Sequence, residues 1–153
     1  MIHLNTILSQ SKYKHMEIPP QAPHLALGRT GEELAADWLR RQGFRILERN
    51  WKSKYGYELD IIAFKDNCLH VVEVKTRSQR SADFRDPARA IDRHRVERMR
   101  RGIHLYKKYR NYQYGTQHHA VTIVFRSEDD YDLRFYPCIH LQYVRKKFYG
   151  GRP

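Results

Sequence analysis

Three of the charged residues in two largely aliphatic stretches of the sequence, "YELDIIAF" (57–64) and "LHVVEVKTR" (69–77), could do chemistry together. They are Asp60, Glu73 and Lys75, and each has leucine, isoleucine or valine as a neighbour. Two carboxylates can hold a divalent cation that activates water, and a lysine beside them can stabilise charge on a phosphate. This chemistry requires that the fold bring the three side chains together.

The residues between the two stretches predict a tight hairpin. In "KDNC", Asp66 and Asn67 occupy the tip, and both residue types tolerate the backbone angles of turns. If Lys65 pairs with Cys68 across the turn, the numbers of paired residues add to 133 throughout the antiparallel ladder.

This register sets Asp60 opposite Glu73, and Glu58 opposite Lys75. Cβ atoms of opposed residues lie about 4.5 to 5.5 Å apart on one face, so two carboxylates there can share a cation. Because facing carboxylates repel each other, they need a positive partner. The hairpin therefore predicts either a magnesium site, in which Asp60 and Glu73 bind the ion and Lys75 acts on a phosphate or a water, or an ordinary cross-strand ion pair facing solvent.

The rest of the sequence predicts the elements that position this hairpin. In "GRTGEELAADWLRRQGF" (28–44), Thr30 and Glu33 form a capping-box pattern at the start of an amphipathic helix that Gly43 ends. The other predicted elements are a strand (44–51), the two hairpin strands (57–64 and 69–76), a helix (92–110) and a second hairpin (119–126 and 132–138). Their order predicts an α/β domain with a central mixed sheet flanked by helices.

Length and composition predict one folded domain. The chain has 153 residues, of which 41% are hydrophobic and 30% charged, which is typical of a folded protein and exceeds the apolar content of disordered chains. Residues 1–26 are polar and contain three prolines, so we expect a flexible tail there and a single domain over 27–153.

The cellular compartment is predicted from what the sequence lacks. Cys68 and Cys138 have neither a CxxC partner nor zinc-ligand spacing, which favours a reducing cytoplasm over a disulfide framework. We find neither a signal-peptide pattern at the start nor a stretch of about 20 apolar residues that could cross a membrane. A cytoplasmic protein without a membrane partner is expected.

The charge of the chain favours a polyanionic partner. Its formal net charge is +12, and residues 92–110 carry eight Lys or Arg against two acidic residues. A phosphate-binding surface is predicted on this helix, and the alternative is a solvated helix face. The residues expected to contact phosphate are Arg93, Arg100, Arg101, Lys107 and Lys108.

The motifs resemble a known superfamily. Asp60, twelve intervening residues and "EVK" at 73–75, preceded by a helix that carries Glu32, are similar to the PD-(D/E)XK nucleases, which have the restriction-endonuclease-like fold. More narrowly, "GRTGEELAADWLRRQGFRILERNW", "ELDIIA" and "VVEVKTR" resemble the YraN-like family of uncharacterised bacterial proteins, regarded as relatives of archaeal Holliday junction resolvases. The resemblance is clearest over residues 28–110.

The resemblance implies roles for four residues. Asp60 and Glu73 would be metal ligands, Lys75 the catalytic lysine, and Glu32 a supporting acid in the same cleft. The implied cofactor is Mg²⁺ or Mn²⁺, and the implied partner is DNA, with branched DNA and a homodimer as open alternatives. Two functions are therefore predicted as alternatives: a metal-dependent DNA endonuclease, and a noncatalytic nucleic-acid-binding protein with the same fold.

Overall fold

The computed structural model describes residues 23–79, 92–127 and 129–139, with side chains from Thr30 onward. In chain order the elements are α1 (Pro23–Arg41), β1 (Arg45–Lys52), β2 (Glu58–Lys65), β3 (Cys68–Ser78), α2 (Arg93–Arg110), β4 (Gly115–Phe125) and β5 (Tyr131–Tyr136). The strands form one sheet in the order β1-β2-β3-β4-β5, in which β3 and β4 are parallel and the other neighbours antiparallel. The predicted α/β class is confirmed, and the mixed sheet flanked by helices is consistent with the restriction-endonuclease-like fold.

Helix α1 begins earlier than the capping-box pattern predicts. It starts at Pro23, because proline has a helix-compatible φ and needs no amide hydrogen-bond partner in a first turn. Thr30 consequently lies inside the helix and is not its N-cap. Residues 23–26 of the predicted tail are helical, and residues 1–22 lie outside the described part of the chain.

The two helices pack on opposite faces of the sheet. The apolar face of α1 contributes Ala35, Ala36, Trp38 and Leu39 to a cluster that includes Val72, Val74, Val121 and Ile123. The apolar face of α2 contributes Met99, Ile103 and Tyr106 to a second cluster with Leu59, Ile62, Leu69 and Val71. Val96 is buried beside them, so the apolar stripe predicted for the second helix is confirmed. Within the described residues, no helix combines the length and apolar character that crossing a membrane requires.

A glycine lets α1 approach β3 closely. A Cβ atom built on Gly31 would lie 2.1 Å from Oγ1 of Thr76, which is far inside van der Waals contact. A side chain at this point would displace Thr76 or the helix. The glycine therefore sets how closely α1 approaches the end of β3.

The central hairpin has the predicted register. Asp66 and Asn67 both have positive φ angles, 49° and 57°, as a two-residue type I′ turn requires. Lys65 pairs with Cys68, and the ladder continues in the same register to the pair of Ile61 and Val72. Continued by one residue, this register sets position 60 opposite position 73.

Candidate active site

The candidate site lies in a fork between β2 and β3. Their ladder ends at the pair of Ile61 and Val72. Beyond this point β2 stays with β1, whereas β3 stays with β4 to the end of the strand. Asp60 and Glu73 are the first residues past the ladder on the two strands. Because the strands separate here, side chains from both helices can reach the opening.

Asp60 is fixed across this fork. Its Oδ2 atom accepts a hydrogen bond of 2.8 Å from the backbone N–H of Val74, so the carboxylate satisfies a β3 amide that has left the ladder. Burial and, after it, the negative charge of Glu73 raise the pKa of Asp60 to about 6. The Val74 hydrogen bond and the charge of Arg95 oppose these effects. The two carboxylates are thus close enough to interact electrostatically.

Glu73 is the most buried acid of the site. Its side chain is 2% exposed, and its Oε1 atom lies 2.7 Å from Nζ of Lys75. The same oxygen accepts a hydrogen bond from Nε of Arg95 and forms an ion pair with Nη2 of the same guanidinium. A buried carboxylate is stable only when it is paired, and here two cationic side chains compensate one oxygen.

The sequence reasoning did not find Arg95. It lies in the first turn of α2, where the N-cap Asp92 accepts a hydrogen bond of 2.8 Å from the backbone N–H of Arg95. This cap fixes the turn and directs the arginine towards β3. A cation in a first helical turn is unfavourable for the helix dipole, and this placement was the available signal that Arg95 has a specific anionic partner.

Glu32 reaches the edge of the same cluster from the opposite face. Its Oε2 atom accepts a hydrogen bond of 2.7 Å from Nδ2 of Asn50 and lies 3.8 Å from Nη2 of Arg49. Asn50 adopts a left-handed backbone conformation with a φ of 53° within β1. The charge of Glu32 also contributes to the raised pKa of Asp60. Asp60, Glu73 and Lys75 therefore lie together at the fork, and Glu32 acts on Asp60 through its charge while its carboxylate contacts β1.

Glu58 takes a different position from the one predicted. The β2–β3 ladder ends before Glu58, so it has no partner on β3. Its backbone pairs with Lys52 of β1, and its carboxylate lies 2.8 Å from Nζ of that lysine. The predicted register included only β3 as a neighbour of β2, whereas β2 also pairs with β1. Lys75 is taken by Glu73 instead.

The acids fit a magnesium-type ion in number and chemistry. Among the described residues, no cluster of three or more His, Cys, Asp or Glu side chains has the geometry of a metal cage. Mg²⁺ does not require such a cage, because it keeps several waters and commonly uses one or two carboxylates together with substrate phosphate. Asp60 and Glu73 supply two carboxylates. Lys75 and Arg95 already provide positive charge at Glu73.

The predicted phosphate-binding residues differ in their surroundings. Arg93 and Lys108 are exposed on α2. Arg100 and Arg101 are also exposed, but both donate hydrogen bonds to Glu97, and this lowers the pKa of Glu97 to about 2.

Lys107 donates a hydrogen bond to the carbonyl of Tyr114. It also lines a groove of about 610 Å³, together with Arg100, Arg101 and two tyrosines of the β1–β2 connection, Tyr55 and Tyr57. Three of the five predicted residues therefore share one surface feature.

A buried histidine pair supports the sheet away from the fork. Nδ1 of His70 lies 2.8 Å from Nε2 of His119, and both rings are less than 7% exposed. Nδ1 of His119 accepts the backbone N–H of Cys138, so neutral His119 carries its proton on Nε2 and donates to His70. Nε2 of His70 then donates to the carbonyl of Lys65. The pair links β2, β3 and β4 through neutral rings.

Comparison with known proteins gives one family. The family model described as "Uncharacterised protein family UPF0102" matches residues 31–132. A UPF0102 protein of Flavobacterium johnsoniae is 44% identical over 89 residues, which is 58% of this chain and 70% of the relative. A UPF0102 protein of Syntrophomonas wolfei is 45% identical over 82 residues, covering 54% of this chain and 69% of the relative. One of Paenarthrobacter aurescens is 48% identical over 75 residues, covering 49% and 60%.

Proposed function

The chain belongs to the uncharacterised protein family UPF0102, and we propose that it is a divalent-metal-dependent endonuclease that hydrolyses DNA phosphodiester bonds. The match confirms the resemblance to the YraN-like family. The observation that carries the proposal is the convergence of Asp60, Glu73 and Lys75 in the fork between β2 and β3.

The acids of the fork are costly to the fold. Asp60 and Glu73 face each other where burial and mutual repulsion disfavour ionised Asp60. Hydrophobic residues in a fork would avoid this cost. Two mutually repelling acids beside a lysine are therefore better explained by a catalytic role than by a contribution to stability.

Each side chain has a task in this proposal. Asp60 and Glu73 would hold Mg²⁺ or Mn²⁺, which supplies an activated water and neutralises charge on the phosphate. The ammonium of Lys75 lies 2.7 Å from Oε1 of Glu73, and its side chain is 18% exposed, so it could stabilise charge on a scissile phosphate bound beside Glu73. Glu32 lies at the other side of the opening and supports the site through its charge.

The groove on α2 supports DNA as the substrate. It combines Arg100 and Arg101, which suit phosphate contacts, with Tyr55 and Tyr57, whose rings can stack on unpaired bases. Tyr55 is 64% exposed although it is a large hydrophobic residue. This mixture favours DNA with unpaired or branched regions.

A cleavage assay tests the proposal. Linear, flapped and four-way DNA are incubated with the protein in Mg²⁺, in Mn²⁺ and in EDTA. We expect metal-dependent cutting that Asp60→Asn and Glu73→Gln abolish. Asp60→Asn should still bind DNA at least as tightly as wild type, because it removes a negative charge facing the phosphates. Equal cutting by both variants and the wild type would refute this mechanism.

A second function is favoured by one observation. Lys75 and Arg95 already compensate Glu73 without a metal, as expected of a noncatalytic nucleic-acid-binding protein that retains the fold. In that case the wild type binds DNA and cuts none of the substrates, and Glu73→Gln affects stability alone.

A further inference from the structure

We infer that Arg95 is a built-in competitor of the catalytic metal, occupying the cation position at Glu73 and leaving it when the metal binds. This inference deepens the proposed function and rests on it. It concerns a residue of α2, outside the hairpin that carries the predicted ligands.

The charges in the fork do not allow a divalent metal to bind beside both resident cations. In the fork, Asp60 and Glu73 supply two negative charges when both are ionised, and Lys75 and Arg95 supply two positive ones. A divalent cation added to this set would leave an excess of two positive charges in a largely buried cluster. Uncompensated charge in such a place is strongly disfavoured, so one resident cation must withdraw as the metal enters.

Arg95, rather than Lys75, is the cation that withdraws. Lys75 lies on β3, where it pairs with Thr122 of β4, and its side chain is 18% exposed. Arg95 lies on α2, and its side chain is 37% exposed, which gives its guanidinium a path to solvent. Arg95 contacts the oxygen of Glu73 that faces Lys75 through two nitrogen atoms, with a hydrogen bond from Nε and an ion pair from Nη2, so it covers this ligand atom more completely.

The released guanidinium of Arg95 has alternative anionic partners. Glu58 is 58% exposed and lies close enough to Arg95 for the two charges to interact. The guanidinium therefore lies within electrostatic reach of an acid outside the fork. A substrate phosphate at the mouth of the fork would be an equally suitable partner, since arginine binds phosphate with two parallel hydrogen bonds.

Metal affinity tests the inference directly. Mn²⁺ binding to the full chain is measured at pH 8 by calorimetry and by the loss of the free-ion EPR signal. We expect Arg95→Ala to bind Mn²⁺ at least ~10-fold more tightly than wild type, because one competing charge is gone. The matched control is Arg93→Ala, which removes the same charge from the same helical turn and should change the affinity less than about twofold.

Stability gives a second readout that does not depend on activity. In EDTA, Arg95→Ala should unfold at a lower temperature than wild type, because buried Glu73 keeps one cation only, and saturating Mn²⁺ should remove the difference. If Arg95→Ala does not fold in EDTA, recovery of the fold in Mn²⁺ supports the inference. If it does not fold in either condition, Arg95→Gln must show the tighter binding, and its failure to do so counts against the inference.

The outcomes separate the inference from the proposed function. Wild type that binds Mn²⁺ and cuts DNA, with Arg95→Ala binding no more tightly, overturns the competitor role alone. Tighter Mn²⁺ binding by Arg95→Ala without cleavage of any substrate supports the competitor role and overturns the nuclease. Absence of Mn²⁺ binding in both proteins overturns both.

Discussion

The carboxylate of Asp60 accepts the backbone N–H of Val74 across the point at which β2 and β3 separate. A side-chain carboxylate thus supplies the hydrogen-bond acceptor for a β3 amide where the backbone ladder between β2 and β3 ends. The bond places a carboxylate beside Glu73 and holds it there despite the repulsion between the two acids. The stability of the protein should therefore depend on the charge of Asp60.

We expect Asp60→Asn to stabilise the protein at neutral pH. The folded pKa of Asp60, about 6, lies above its ordinary value of 3.8, so its contribution to stability is full below about pH 3.8 and is lost as the pH rises through about 6. Asparagine retains an oxygen for the Val74 amide and carries no charge. The gain should be about 3 kcal/mol at pH 8 and small at pH 4.

Urea unfolding in EDTA at pH 4, 6 and 8 measures this gain. Asp37→Asn is the control, because Asp37 forms an exposed ion pair with Arg40 on α1. Its effect should stay below about 0.5 kcal/mol. A gain for Asp60→Asn that does not grow with pH would show that Asp60 is not repelled in the folded protein.

Metal binding should release a proton in mildly acidic solution. Asp60 must be ionised to bind a cation, and its pKa of about 6 means that most molecules hold this proton below that pH. Mn²⁺ affinity should therefore rise about tenfold per pH unit below pH 6 and level off above pH 7. Calorimetry in two buffers of different ionisation enthalpy detects the released proton.

The proton release should depend on Asp60 itself. Asp60→Asn should remove both the release and most of the affinity. If the released proton persisted in this variant, the titrating group would have to be another residue.

Glu97 should restrain binding to DNA. It accepts hydrogen bonds from Arg100 and Arg101 on the exposed face of α2, so it competes with phosphate for both guanidinium groups. We expect Glu97→Gln to tighten DNA binding by about threefold to tenfold at low salt. Fluorescence anisotropy with a labelled four-way junction measures the affinity from 50 to 200 mM salt.

Arg100→Ala and Arg101→Ala should reduce the dependence of this binding on salt. Each should lower the slope of log affinity against log salt by up to about 0.9. Lys54→Ala, which removes an exposed lysine from the β1–β2 connection, shows how much of the change is due to net charge. An unchanged slope in both arginine variants would place the DNA-binding surface away from α2.

The histidine pair should make the protein sensitive to acid. Burial lowers the pKa of His70, so its contribution is full above about pH 6.5 and is lost as the pH falls below that value, when the unfolded chain takes up protons first. The effect of Asp60 has the opposite sign, and the histidine contribution is therefore best measured in Asp60→Asn.

In that background, His119→Ala should cost about 2–3 kcal/mol at pH 7, because the Cys138 amide loses its acceptor and His70 its donor. The loss should shrink at pH 5. His104→Ala, on the exposed side of α2, should change stability little. Equal costs at both pH values would mean that His70 titrates normally in the folded state.

The local parts of the site could be predicted from the sequence. The register of the hairpin follows from two turn residues, Asp66 and Asn67, whose positive φ angles allow one tight pairing. Because side-chain placement along a strand has a period of two residues, this register also predicts which residues face each other. The encounter of Asp60 and Glu73 is a consequence of local geometry.

The remaining parts depend on contacts that are distant along the chain. Arg95 reaches Glu73 only because α2 packs on β2, β3 and β4, and a helical pattern does not say what its first turn will touch. The partner of Glu58 depends on β1, which a two-strand argument leaves out. The early start of α1 depends on Pro23, which suits a first helical turn, whereas a high proline content is usually taken as evidence against a helix.

The parallel pairing of β3 with β4 has a consequence for folding kinetics. Such a pair cannot close as a hairpin, and the connection through α2 must be completed first. Until α2 arrives, the β2–β3 hairpin has its two acids facing each other without the Arg95 guanidinium. We therefore expect the hairpin to gain little structure alone at neutral pH and to form together with α2 in one cooperative step, with refolding faster near pH 5 than near pH 8.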